Sequence, residues 1–454
     1  MKLNDSGNAE RLVSIFGDEL LYCPQMRAWY IWTGRMWKMD ISNHILQIAQ
    51  QVAESYRTLS RECDVDDISN RNKLIRHANT SESLRGLQAM VSIAQSDQSI
   101  ILNVNEFDHN PMLLNVENGT IDLATGKFIL FNPDDHITKM APVTYVKDAD
   151  CPVWDRFLSD VLPDAATRAF IQTAVGYSLT ASTREDRMFI LHGGGRNGKT
   201  TFVNAILSMM GEYASQASSS LIVRKHSTGP RDDLLVLMGK RFVVATETEE
   251  SHKLDENLVK QMTGGNRVSI NPKYRSQMEF HPTWKMWLDT NYEPIITGTD
   301  PAIWRRLLKI PFYVSIPEAK CDTKLRQYLM SNADERSGIL NWALEGAKRW
   351  SKTGLKPSKV VVDSTKFYSA DQDFIGQFIA ECCQLHPNFF VTKNDLYDVY
   401  LAFCRQNNEQ SKTKNAFGRN IIGRGISESR NTNDRYWQGI SINMSVSLLP
   451  CDAV

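Results

Sequence analysis

"LHGGGRNGKTTF", residues 191–202, stands between the apolar run "RMFI" and the helical pattern "VNAILSMM". Its GxxxxGK[ST] spacing runs from Gly193 through Gly198, Lys199 and Thr200, and a strand before it with a helix after it is the setting that a phosphate-cradling loop requires. Glycines let successive backbone N–H groups point inward at phosphate oxygens, and the helix that follows adds the positive end of its dipole. Gly193, Gly194, Gly195, Arg196, Asn197, Gly198, Lys199, Thr200 and Thr201 are therefore the candidate nucleotide-binding residues. Lys199 is placed to bridge the β and γ phosphates of ATP, and the Thr200 hydroxyl to ligate Mg²⁺. Kinases, switches, packaging motors, helicases and primases share such a loop, so the rest of the chain has to decide among them.

Downstream, "GKRFVVATETEE" (239–250) is an apolar strand ending in acids. A nucleoside triphosphatase needs one carboxylate for the magnesium shell and another to polarise water. Glu247 is the leading candidate for metal and water, with Glu249 or Glu250 second. "TWKMWLDTNYEP" (283–294) puts Asn291 just past a further apolar strand, where an amide can hold the γ-phosphate and the lytic water without titrating. "DPAIWRRLLKIPF" (300–312) then presents Arg305 and Arg306 ahead of another apolar run. Arginines so placed suit a finger inserted into a neighbouring subunit's ATP site, Arg306 first and Arg305 as the alternative; in isolation they would read as a surface ion pair.

This order of P-loop, acidic strand, hairpin, Asn-ended strand and late arginine resembles superfamily 3 helicases of the AAA+ class. More closely, the chain is similar to the C-terminal helicase part of phage and plasmid primase-helicases, relatives of large DNA virus replication ATPases. The words that carry the likeness are "FDHNPMLLNVENGTIDLATG", "CPVWDRFL", "FIQTAVGYSLT", "GGGRNGKTTF", "ATETEESHKLDENLVKQMTGGNRVS", "TNYEP" and "DPAIWRRLLKIPF", dense over residues 107–312. The resemblance implies a ring, a hexamer, that hydrolyses ATP between subunits and draws one DNA strand of a forked duplex through a central pore. It also implies a pore hairpin. "NRVSINPKYRSQMEF" (266–280) fits that part, with alternating strands around Pro272 presenting Lys273, Tyr274 and Arg275. Lys and Arg hold backbone phosphates and release counterions, and Tyr stacks or packs. Lys260, Asn266 and Arg267 match the family pattern without an assignable role.

Two departures matter. Thr248 separates Glu247 from Glu249, whereas family acids often stand adjacent, so the division of labour among Glu247, Glu249 and Glu250 stays open. Many relatives also carry an N-terminal primase domain that 454 residues are too few to include, which makes a separate primase an expected partner. "DVDD" (64–67) lacks a supporting strand and reads as a helix cap or solvated turn, not a polymerase carboxylate pair. Two other readings stay open: a primase-helicase with its own nucleotidyl-transfer site, and an ATP-switched initiator or loader that never unwinds DNA.

The totals set bounds on all of this. A composition of 42% hydrophobic and 23% charged residues is that of a globular protein, here an α/β one with an AAA+ core. Lys plus Arg equals Asp plus Glu at 52 each, so a DNA-binding surface must be local. Eight cysteines without a CxxC pair predict reduced thiols. With neither a signal core nor a run near the roughly 18 apolar residues of a spanning helix, the expected setting is cytoplasmic, in a bacterial or phage-infected cell, with no membrane partner. The expected divisions are an α-rich N-terminal domain (1–115), a hairpin and helical segment (116–185), the ATPase core with following helices (186–350), a linker "SKTGLKPSK" (351–359) and a winged-helix-like module (360–454). Trp29, Trp32 and Trp37 read as packed core ahead of a base-stacking platform. Lys412, Lys414, Arg419, Arg424, Arg435, Tyr436 and Trp437 make the last module basic, a DNA or protein contact or simply a solvated face.

Overall fold

Amphipathic helices and a short meander form the first unit. Helix α1 (Asp5–Phe16) precedes strands β1 (Leu20–Cys23), β2 (Ala28–Trp32) and β3 (Trp37–Met39), and α2 (His44–Glu62), α3 (Ile68–Ser81) and α4 (Leu84–Ala94) follow. In this computed structural model residues 2–218, 221–223, 232–246, 252–270, 278–296, 300–430 and 434–443 are described. Trp29 and Trp37 are buried, and Trp32 tilts against Trp37 at 5.6 Å between ring centroids, so these rings serve packing. Asp67 caps α3, accepting from the Asn70 N–H at 3.1 Å.

A second meander, β4 (Leu113–Val116), β5 (Gly119–Asp122) and β6 (Lys127–Ile129), leads to α5 (Pro152–Val161) and α6 (Ala165–Leu179). The central body then alternates strand and helix: β7 (Met188–His192), α7 (Lys199–Met210), β8 (Ala214–Ser218), α8 (Asp232–Leu235), β9 (Phe242–Thr246) and α9 (Glu256–Thr263). The hairpin strands β10 (Val268–Ile270) and β11 (Met278–Phe280) interrupt it before β12 (Lys285–Thr290), α10 (Pro301–Trp304) and β13 (Leu307–Pro311). Five of these strands form one sheet in the order β13-β7-β12-β9-β8, every pair parallel. Parallel strands are covered on both faces and so read as continuous apolar runs. In β7, Phe189 and Leu191 join the α5–α6–α7 side of the core while Met188 and Ile190 join the opposite side, as a period of two demands.

Helices α11 (Leu325–Ser331), α12 (Ala333–Thr353) and α13 (Lys359–Asp371) complete this body. Gly176 on α6 and Gly346 on α12 let the two helices touch: an added Cβ would lie 2.0 Å from the Ala347 nitrogen and 2.0 Å from the Gln172 carbonyl oxygen respectively. Helix α13, which opens the stretch read from sequence as a separate module, instead packs along the edge strand β13 and buries Val361 and Tyr368 in the two halves of the central core. An independent core begins after it, in α14 (Phe374–Cys382), β14 (Cys383–Thr392), α15 (Lys393–Gln406), α16 (Lys414–Ile422), β15 (Ser427–Arg430) and β16 (Arg435–Ile442). Its antiparallel sheet runs β14-β16-β15 around Phe378, Tyr400, Phe417 and Trp437.

Two buried cations tie the body together. Arg241, ahead of β9, donates to the carbonyls of Leu179 and Leu113, each at 2.7 Å, and its guanidinium lies over the Tyr213 ring. Lys285, opening β12, donates to the carbonyls of Thr180, Ser182 and Thr283. Both thus meet the negative end of the α6 dipole, and burial pulls both below their ordinary pKa. Among the described residues the seven cysteines are free thiols, and no helix is long and apolar enough to cross a membrane.

Because the α6–α12 contact is made by backbone, Gly346→Val should lower the unfolding free energy by roughly 2–3 kcal/mol through overpacking. A denaturation midpoint equal to wild type would show that the helices can separate at no cost.

Candidate nucleotide-binding site

The glycine loop is held from below and open above. Gly193 is buried against β13: an added Cβ would meet the Phe312 carbonyl oxygen at 2.1 Å. The Asn197 side chain, also buried, donates to that oxygen at 3.1 Å and to the Gly194 carbonyl, so it clamps the loop to the end of β13 and does not face a phosphate. The Ile316 N–H reaches the Arg196 carbonyl at 2.8 Å, and the Arg196 guanidinium reaches Glu318 at 3.1 Å. Arg196 and Gly198 take left-handed backbone, φ 58° and 84°. Gly194 and Gly195 are exposed, with nothing within 4 Å of a hypothetical Cβ. Their open backbone is the face that a phosphate can approach.

Lys199 opens α7 with a buried side chain. Its ammonium donates to the carbonyls of Gly193 (2.7 Å) and Gly194 (3.3 Å) and to the side-chain oxygens of Asn197 (3.2 Å) and Asn291 (2.9 Å). Burial lowers its pKa, and the Asp289 carboxylate works in the other direction. Asn291 comes to the lysine because β12 pairs directly with β7, Thr290 opposite His192. Thr200 is exposed and Thr201 half-buried on the first turn of α7. The Thr200 hydroxyl donates to Asp289 at 3.4 Å. These residues fit a magnesium nucleotide: open amides, a cation at a helix start and a hydroxyl lie along the loop and the first turn of α7, with the Asp289 carboxylate of β12 beside the hydroxyl.

Glu247, Glu249, Glu250, Lys273, Tyr274 and Arg275 lie outside the described residues. Their flanks are described: β9 ends at Thr246 opposite Asp289, and β10 pairs with β11 from Val268↔Phe280 to Ile270↔Met278. At the base of that hairpin, Arg267 donates to His281 at 3.3 Å. Lys260 pairs with Asp300 at 2.5 Å.

The arginines stand elsewhere. Arg305 is exposed, whereas Arg306 turns back on its own helix, donating to the Ala302 carbonyl at 2.9 Å. The Arg306 backbone carbonyl accepts from the Met188 N–H at 2.7 Å, at the start of β7. Five strand residues, about 16 Å, separate that point from the glycine loop.

Sequence reading overlooked Asp289 and Glu293. Glu293 pairs with Lys309 of β13, whose side chain is buried, and approaches His192 Nδ1 at 3.7 Å. Burial, with the Lys309 and Lys199 cations acting in the same direction, lowers the His192 pKa. Tyr368 and Gln372 hold the same loop by hydrogen bonds to the Pro294 carbonyl and the Ile296 N–H. The Asn291 loop is therefore fixed by β13 and α13 together.

Comparison with known proteins adds to this. The family described as "D5 N terminal like" matches residues 9–163, and a family of unknown function, DUF5906, matches residues 191–306. The mimivirus protein named "Putative helicase L207/L206" (Acanthamoeba polyphaga mimivirus) is 26% identical over 341 residues, 69% of this chain and 35% of that protein. The African swine fever virus protein "Putative primase C962R" is 28% identical over 334 residues, 68% of this chain and 35% of that protein. The chain thus spans about a third of the length of these relatives. Among solved structures, the apo C-terminal region of NrS-1 (305–718) matches with a TM-score of 0.53 at 12% identity, covering 96% of this chain and 99% of that one. That match concerns the fold.

Glu293→Gln removes the charge that balances a buried lysine, and should lower stability by about 3 kcal/mol. The double change Glu293→Gln with Lys309→Met should recover most of that loss in chemical denaturation. Equal instability of the single and double variants would mean that the pair itself is not what holds the loop.

Proposed function

We infer that this chain, a member of the phage-type primase-helicase family, is an ATP-dependent DNA helicase that works as a ring in the replication of a phage, plasmid or integrated element. One observation carries the reading. The nucleotide loop sits at the carboxyl ends of the sheet and the arginine pair at its amino edge, so Arg305 or Arg306 suits a neighbouring subunit's nucleotide better than its own. A ring, in this family a hexamer, brings the two ends together.

The parts then have distinct work. The amides of Gly194 to Gly198 and the Lys199 ammonium bind and orient the phosphates, Lys199 exchanging its carbonyl and Asn291 partners for them. The Thr200 hydroxyl is positioned for Mg²⁺, which supplies charge neutralisation when bound. Glu247, with Glu249 in support, polarises the attacking water, and Asn291 registers the γ-phosphate. Arg305 is the better-placed finger, being exposed where Arg306 is turned inward. The hairpin between β10 and β11 presents Lys273, Tyr274 and Arg275 to single-stranded DNA in the pore.

The insertion of β12 between the P-loop strand and β9 supports an AAA+ core of the superfamily 3 type. The helix–strand–helix–helix–hairpin order after α13 supports a winged helix. A separate primase and a forked duplex are the partners this reading requires, in a cytoplasmic setting.

Wild-type protein should separate the strands of a forked duplex with ATP, and Lys199→Ala should abolish turnover. Arg305→Ala should still bind nucleotide and assemble, but turn over about 10³-fold more slowly. Mixing the two variants should restore part of the turnover, since intact loops then meet intact arginines. A wild-type protein that hydrolyses ATP but leaves forks of both polarities paired would instead be an initiator or loader. A mixture no faster than its components would remove the arginine from the reaction.

A further inference from the structure

Strand β12 carries a carboxylate that its apolar surroundings do not call for. Trp287 and Asp289 share one face of the strand. Trp287 is fully buried, its rings 4.3 Å from Phe189 and 6.3 Å from Phe202 of α7. Two residues on, that face reaches the first turn of α7, and Asp289, only 8% exposed, accepts from the Thr200 hydroxyl. Its backbone lies opposite Leu191 of the P-loop strand and Thr246 at the end of β9. It stands between the two strands that lead to the loop and to the acids.

A hydroxyl that gives a lone pair to a cation still has a proton to place, and a carboxylate beside it takes that proton and makes the oxygen a better donor. Magnesium bound with phosphates keeps several waters and uses one or two carboxylates, so an anion here also has metal-bound water to hold. The Asp289 charge also faces the buried Lys199 ammonium, so the carboxylate serves the lysine and the hydroxyl of one loop together.

We propose that Asp289 is a positioning residue of the Mg²⁺ site, orienting the Thr200 hydroxyl toward the ion and adding the negative charge that raises metal affinity. This rests on the nucleotide-binding reading above. Asp289→Asn keeps the size and an oxygen acceptor for Thr200 but removes the charge.

The test is Mn²⁺ binding to the full chain with ADP, followed by the electron paramagnetic resonance of free Mn²⁺, beside ADP binding without metal. Asp289→Asn should weaken Mn²⁺ about 10- to 100-fold and leave metal-free ADP binding as in wild type. Mn²⁺ affinity equal to wild type would overturn the proposal. Should Asp289→Asn also lose metal-free ADP, Asp289→Glu decides: metal affinity kept with the longer acid supports the charge, and metal affinity lost with it overturns the assignment. A wild-type chain that binds neither ADP nor Mn²⁺ with ADP would remove the nucleotide site itself, a different failure.

Discussion

Every strand of the central sheet runs in the same direction, and this sorts the chemistry of the chain into two ends. Parallel strands must be joined by crossovers, so each strand starts at one edge and finishes at the other. The carboxyl ends gather the glycine loop, Thr246, Asp289, Asn291 and Glu293, at the crevice where open α/β sheets take ligands. The amino ends gather Arg241, Lys285 and the arginine pair. No local motif decides this division. It follows from register and direction.

Charge is buried at both ends, for different purposes. At the carboxyl end, Glu293 and Lys309 fix the loop that bears Asn291, and Lys199 rests on carbonyls and amide oxygens that phosphates can replace. Such contacts hold a geometry and can still be exchanged. At the amino end, Arg241 and Lys285 donate their hydrogen bonds to backbone carbonyls and lie over the rings of Tyr213 and Tyr177. A buried cation held by carbonyls is costly to strand, and that penalty keeps the segments assembled.

Sequence spacing put the glycine loop between a strand and a helix, and Asn291 just past an apolar strand, as the structure does, because each depends on a few neighbouring residues and survives without knowledge of the rest. Asn197 fell inside the same motif, yet its side chain points down to Phe312, a fact set by the far end of β13. Asp289 and Glu293 were hidden for the same reason: an acid at a strand end looks like a solvated terminus until the flanking strands are known. The polar "SKTGLKPSK" suggested a boundary, but only residues 354–358 separate α12 from α13. The apolar face of α13 belongs to β13, and sequence composition does not reveal the partner of a face.

The Arg241 guanidinium reaches across from β9 to Leu113 in the meander and Leu179 at the end of α6. The first of these carbonyls lies within the span matched by the D5 N terminal like family, and the arginine lies within the span of the other. One buried side chain thus joins the two matched portions. A recombination that exchanged the second portion alone would set a guanidinium against a foreign loop inside a dry interior, so viable crossovers should fall upstream of the meander or beyond α13, and not at the apparent seam before β7.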